Sequence, residues 1–240
     1  MTIVLVSGAK GGVGASLIAS NLAVAAAQSL ECMLVDMVAV SGSIDLLLGM
    51  ESSRNWAELL PVADELNEHQ LELVSTDGVD TLKLLAAPEK PLTENSSSLI
   101  KSIASHTDWL IVDAPVGFLA NHLELLQVAE VALLVTTLDP PSLRACKRWL
   151  QLLPDNGLGS VELIVNQWTR QHPVDPSALA DSLAIPLAAV LPFAPVEVGA
   201  QVNFGRSSPT AVNQDFRQAC RRLVKQLKRA SSTTITSSTS

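Results

Sequence analysis

Short apolar runs recur along the chain at Ile3–Val6, Cys32–Val35, Trp109–Val112, Val131–Val135, Leu163–Val165 and Leu187–Leu191. They are rich in Val, Ile and Leu without strict alternation, the pattern of strands buried on both faces. Between them lie segments of helical length, at Ser16–Gln28, Leu119–Val128, Ser142–Leu153 and Pro176–Leu183, with a further helix over Thr93–Ser105 leading into the Trp109 run. Strand and helix alternating at this spacing predict right-handed βαβ units. The fold class is therefore α/β, a doubly wound, mostly parallel sheet flanked by helices. Leu71–Ser75 and Thr81–Ala87, separated by a turn at Asp77-Gly78, read as a hairpin that adds an antiparallel strand at one edge. Thr136 to Ser142 reads as a strand end followed by a helix whose N-cap is Ser142. No internal repeat interrupts the order. One domain over 1–230 is expected, followed by a disordered Ser/Thr-rich tail over 231–240.

Composition sharpens this picture. At 48% hydrophobic residues, 3% aromatics and a mean hydropathy of +0.30, the core must be sizeable and aliphatic. No apolar run approaches the roughly 18 residues of a spanning helix, and Met1 leads directly into a strand, so a cytoplasmic protein is expected. Cys32, Cys146 and Cys220 are odd in number and lack metal-ligand spacing, which predicts buried reduced thiols. His69, His106, His122 and His172 share no spacing and suggest neither a metal site nor a triad. The net charge of −8 argues against broad wrapping by nucleic acid. Residues 216–229 break that trend, holding six of the 16 basic residues and no acid. Phe216, Cys220, Leu223 and Leu227 recur there at helical spacing, making an amphipathic basic helix. Three readings of it stay open: a final helix docked on the sheet, a membrane-surface helix, or a contact for duplex DNA.

The chemistry concentrates at the first strand end. Four of the 12 glycines fall within Gly8–Gly14, in Ser7-Gly8-Ala9-Lys10-Gly11-Gly12-Val13-Gly14-Ala15-Ser16. Strand, glycine loop and helix form the setting of a phosphate-binding loop, in which successive backbone N–H groups and a helix N-terminus face phosphate oxygens. Gly11, Gly12, Val13, Gly14, Ala15, Ser16 and Leu17 are therefore candidate nucleotide contacts, with Ser16 placed to ligate Mg2+. Ala15 stands where such loops carry lysine, leaving Lys10 as the loop's cation. Trp109-Leu110-Ile111-Val112-Asp113 resembles a Walker B strand that delivers Asp113 to the phosphate edge of the sheet. Asp36 ends the second strand in the same manner, whereas Asp108 reads as a solvated turn residue.

These motifs resemble the deviant Walker A signature of the MinD/ParA ATPases, and more closely the CpaE/TadZ branch associated with Tad-type pilus assembly. The likeness is carried by Lys10-Gly11-Gly12-Val13-Gly14-Ala15-Ser16 and extends, through dispersed motifs, over most of residues 1–229. It implies ATP and Mg2+ as ligands, with Lys10, Asp36 and Asp113 in catalytic roles and Ser16, Asp36 and Asp113 at the metal. It further implies that Lys10 reaches across a homodimer to the partner's phosphates. Asn166, ending Leu163-Ile164-Val165-Asn166, matches a strand-end asparagine that contacts adenine, with Pro192 and Phe193 lining the base pocket. The stretch Ala200 to Arg206 matches the same branch. Relatives usually carry Asp-x-Asp at the second strand, the second aspartate positioning the attacking water. Here Val38 takes that place and cannot accept a hydrogen bond. The resemblance thus implies an ATP-binding, dimerising scaffold with weak or no hydrolysis, working with pilus or secretion proteins at a cell pole or the inner face of the membrane. The alternative is an active MinD/ParA-type ATPase switch acting on membrane or DNA.

Overall fold

A computed structural model describes residues 1–90, 96–117, 123–153, 160–205 and 215–237. Eight strands form one sheet: β1 (Thr2–Gly8), β2 (Cys32–Asp36), β3 (Thr76–Asp77), β4 (Leu82–Leu85), β5 (Trp109–Ala114), β6 (Val131–Thr136), β7 (Ser160–Trp168) and β8 (Leu187–Pro192). Their order is β3-β4-β2-β5-β1-β6-β7-β8. Every pairing is parallel except β3 with β4, which is the antiparallel edge expected. Nine α-helices are seen among the described residues: α1 (Ala15–Ala27), α2 (Ile44–Leu48), α3 (Glu68–Val74), α4 (Ser97–Ala104), α5 (Leu123–Val128), α6 (Pro140–Leu152), α7 (Pro176–Leu183), α8 (Pro195–Phe204) and α9 (Asp215–Ser237). A 3₁₀ helix spans Trp56–Glu65.

The pleat splits the core into two layers. On β1, Ile3 and Leu5 join one apolar cluster while Val4 and Val6 join the other. On β5, Leu110 and Val112 likewise oppose Trp109 and Ile111. Both faces are covered, which is why the strands read as continuous apolar runs. β1 lies between β5 and β6, where the chain reverses its direction of travel across the sheet. Ligands of such sheets gather outside the carboxyl ends of the strands at that point.

Several local expectations are corrected. Leu71–Val74 is helical, because Asn67 and Gln70 form a capping box that starts α3 at Glu68. The hairpin is therefore shorter, with Thr76–Asp77 facing Lys83–Leu84. Ser142 is not the N-cap of α6; Asp139 is, its carboxylate accepting the Ser142 N–H at 3.1 Å, with Pro140 and Pro141 filling the first turn. The last helix runs from Asp215 to Ser237, with neither Gly nor Pro after Arg229 to stop it. The starts of the helices expected at 93 and 119 lie outside the described residues, as does His122.

α9 packs on α1 and β8. Phe216, Ala219, Cys220, Leu223, Val224 and Leu227 are all buried there, while Arg221, Arg222, Lys225, Lys228 and Arg229 face outward. The docked reading of the basic helix fits this geometry, because its apolar face is part of the core. Glu197 of α8 anchors its start, accepting the N–H groups of Phe216 and Arg217 at 3.3 Å and pairing with the Arg217 guanidinium at 3.3 Å. Among the described residues no helix is long and apolar enough to cross a membrane.

Candidate functional site

β1 ends at Gly8, and the Ala9 N–H is held by the Val135 carbonyl at 2.8 Å, so the loop departs from the centre of the sheet. Gly14 is the N-cap of α1, with φ 91° and no side-chain cap. The first turn of α1 contains no acid. Its leading N–H groups are thus free of side-chain acceptors and carry the positive end of a 13-residue helix, an arrangement that favours an anion.

Asn166 braces this loop from below. It is 3% exposed near the end of β7, and its Nδ2 donates to the Val13 carbonyl at 2.8 Å. A Cβ on Gly14 would fall 2.5 Å from that nitrogen, so glycine is needed for both space and backbone conformation. Beside the brace opens a cavity of about 270 Å3 whose lining includes Gly12, Gly14, Leu17, Asn166, Pro192 and Phe193. Every one of those six was a candidate nucleotide contact from sequence. α8 closes the far wall through Val198 and Val202, which the sequence reading did not single out. Gln167, at φ 57° in a bulge between β7 and β8, also lines it. One amide hydrogen of Asn166 is committed to Val13; its oxygen and second N–H remain for a base edge. Asn166→Ala is expected to lower stability by about 1–3 kcal/mol by orphaning the Val13 carbonyl, with urea unfolding as the check.

The two strand-end carboxylates differ. Asp36 and Asp113 are register neighbours on β2 and β5, each 1% exposed. Asp36 accepts the N–H groups of Val38 (3.0 Å), Ser43 (3.0 Å) and Ile44 (3.1 Å). It organises the following loop, and of its roughly four acceptor positions only one is left for a water. That narrows the direct metal and catalytic roles expected of it. Burial lifts its pKa, the three backbone bonds oppose the rise, and the Asp45 charge adds to it.

Asp113 is the reverse. Both of its oxygens are buried without a well-formed hydrogen bond. Burial pushes its pKa up to about 7; the Ser16 hydroxyl pulls it down and the Asp36 charge pushes it further up. A buried carboxylate lacking partners, with a serine hydroxyl near it at a helix N-terminus, is a donor set suited to a hard divalent cation. The residues present fit Mg2+, with Ser16 and Asp113 as the protein groups.

Lys10 is half-buried, its Nζ curling back to the Gly11 carbonyl at 3.5 Å. Asp139, the N-cap of α6, was missed as a charged neighbour of the loop. The hydroxyls of Ser142 and Thr137 hold its pKa down to about 2, and Lys10 contributes to the depression. The Asp139-Pro140-Pro141 sequence was a legible cap signal. Val38 is half-buried beside Asp36, and Val40 adopts φ 71°, a strained conformation for a β-branched residue. Cys32, Cys146 and Cys220 are free and buried, each thiol pushed up to about 12 by burial. No group of three or more His, Cys, Asp or Glu side chains able to hold a metal ion occurs among the described residues.

Comparison with known proteins follows this geometry. The ParA family model, described as NUBPL iron-transfer P-loop NTPase, matches residues 1–173. The septum site-determining protein MinD of Synechocystis is 29% identical over 201 residues, covering 79% of this chain and 75% of that protein. A putative MinD of Guillardia theta is 30% identical, covering 79% of this chain and 74% of its own length. Among solved structures, a ParA family ATPase from Chlorobium tepidum superposes with a TM-score of 0.82 at 22% identity, covering 94% of this chain and 98% of that one. MinD of Pyrococcus horikoshii, complexed with Mg-ADP, gives 0.77 at 23% identity, covering 96% and 98%. A glycine loop at the centre of a parallel sheet, a buried strand-end carboxylate beside it and these matches agree: the chain belongs to the ParA/MinD family of P-loop NTPases.

Proposed function

We propose that this protein binds ATP with Mg2+ and acts as a dimerising scaffold of the CpaE/TadZ kind, helping to place pilus or secretion machinery, with hydrolysis slow or absent. The observation that carries the nucleotide reading is Asp113, a buried carboxylate without a well-formed hydrogen bond, beside the Ser16 hydroxyl. The amides from Gly11 to Ser16 would cradle the phosphates, while Ser16 and Asp113 would hold the metal. The cavity walled by Asn166, Pro192 and Phe193 would take the base. Bound Mg2+ supplies charge neutralisation at the phosphates. Asp113 must be ionised to hold it, and Asp36 keeps the loop that follows β2 closed over its own backbone bonds.

Slow turnover rests on two departures of sequence. Ala15 brings no cation to the phosphates, and Val38 cannot orient an attacking water. Lys10 sits on the exposed side of the loop, where a second copy's phosphates could meet it. Affinity for ATP should therefore rise with protein concentration, and Lys10→Ala should flatten that rise. Equilibrium binding of labelled Mg-ATP at dilute and concentrated protein is the check; equal affinity at both sinks the sandwich. Recruitment to a cell pole or the membrane's inner face is part of the same proposal. The outward basic face of α9 supports an electrostatic contact with membrane or DNA rather than insertion.

A second reading has its own support. MinD proteins match over 79% of the chain, which favours an active ATPase switch. Steady-state phosphate release decides between them: turnover clearly above an Asp113→Ala control favours the switch.

A further inference from the structure

Trp149 of α6 touches both loops that flank the phosphate site. Its Nε1 donates to the Ala9 carbonyl at 2.8 Å. Ala9 is 1% exposed, and its N–H is already fixed to Val135, so this one residue is gripped by β6 on one side and α6 on the other. Lys10 follows immediately. The far edge of the same indole lies over Gly117, four residues beyond Asp113. Gly117 has φ 84°, and a Cβ there would fall 2.7 Å from Cη2 of Trp149. The segment between is tied as well, since the Ser7 hydroxyl donates to the Pro115 carbonyl at 3.0 Å. Tryptophan alone combines a donor with a flat face wide enough for both contacts. Trp56, by contrast, serves the other loop, donating to the Asp36 carbonyl at 2.7 Å.

We infer that Trp149 is a positioning residue, clamping the phosphate-binding loop at Ala9 to the segment 115–117 that follows Asp113, so that occupancy of the phosphate site is passed to that segment and to α6. The inference rests on the nucleotide reading above. A phosphate drawn onto the loop amides acts on the peptide units next to Ala9. Any displacement of the Ala9 carbonyl moves the indole, whose far edge occupies the space a side chain at position 117 would need. The glycine is the only residue that lets the ring sit so close, which makes the contact a coupling rather than loose packing.

The test uses the full chain, Mg-ATP as the probe, and the Trp149→Phe and Gly117→Ala variants. Phenylalanine keeps most of the packing but has no N–H for Ala9; alanine displaces the indole from the opposite side. Each variant is expected to raise the Kd for Mg-ATP about three- to tenfold, the scale of one lost hydrogen bond. In amide hydrogen exchange, Mg-ATP is expected to protect segment 115–117 and α6 in the wild type, and Trp149→Phe to lose most of that protection while melting within a few degrees of the wild type. A purely structural ring would shift the melt and leave the protection in place. Should Trp149→Phe fail to fold, Gly117→Ala carries the test. Wild-type affinity and protection in either folded variant overturns the inference alone. A wild type that binds no Mg-ATP overturns it together with the nucleotide reading.

Discussion

Ala15→Lys is expected to tighten Mg-ATP binding by about ten- to a hundredfold. A lysine ammonium about 4 Å from a phosphate charge gains on the order of 4 kcal/mol at an effective dielectric near 20. Ordering the side chain takes back roughly 2 kcal/mol of that. The net gain of about 2 kcal/mol corresponds to some thirtyfold. Position 15 opens α1 and is half-buried, so a long side chain has a route out of the core. Adding Val38→Asp should then raise phosphate release, because the double variant regains both the cation and the acceptor that orients water. Equilibrium binding and steady-state phosphate release measure the two effects. Release that stays at the level of an Asp113→Ala control in the double variant would mean that something other than residues 15 and 38 limits turnover.

Asp113→Asn should act in opposite directions with and without metal. In metal-free protein the folded Asp113 has its pKa raised to about 7, chiefly by burial, above the ordinary value of 3.8. The native state therefore holds its proton more tightly than the unfolded chain. The stability this brings is fully present below about pH 4 and is lost as pH rises through 7. A rise from 3.8 to about 7 corresponds to on the order of 4 kcal/mol. Asparagine removes the buried charge, so in EDTA at pH 8 the variant should melt roughly 8–16 °C higher than the wild type. At pH 5 the difference should largely close. With Mg-ATP the ranking reverses, since asparagine lacks the charge that holds the cation. Thermal melts at both pH values, with and without Mg-ATP, check the crossing. Equal melts at pH 8 in EDTA would show that the Asp113 carboxylate is not under electrostatic strain.

Much of this site was legible in the chain because its signals are local. The glycine loop, the strand ending in Asp113 and the strand ending in Asn166 are each a few consecutive residues, and parallel pairing brings their carboxyl ends to one edge. The same holds for the sheet: runs such as Val131–Val135 are apolar throughout because both faces are covered. What the sequence concealed depends on partners distant along it. That Asp36 would be occupied by the N–H groups of Ser43 and Ile44 follows from the path of a loop, not from a motif. Asp139 as neighbour of Lys10 and Trp149 as partner of Ala9 join residues more than a hundred positions apart. α3 was misread as a strand because Leu71 to Val74 is apolar enough for either, and the deciding signal was the Asn67–Gln70 box just before it. α8, with Val196 80% exposed and Glu197 buried, inverts the usual pattern and hides a wall of the cavity.

The placement of the three thiols gives the protein a set of internal clocks. Cys32 lies within a central strand, Cys146 on a helix of one layer and Cys220 on a helix of the other. Shielded and held in the neutral form, none reacts until its surroundings part, so the alkylation rate at each reports how often that layer comes undone. A ligand that tightens the edge of the sheet at β1 should slow the three rates unequally, and the ratio among them would trace how far its influence spreads.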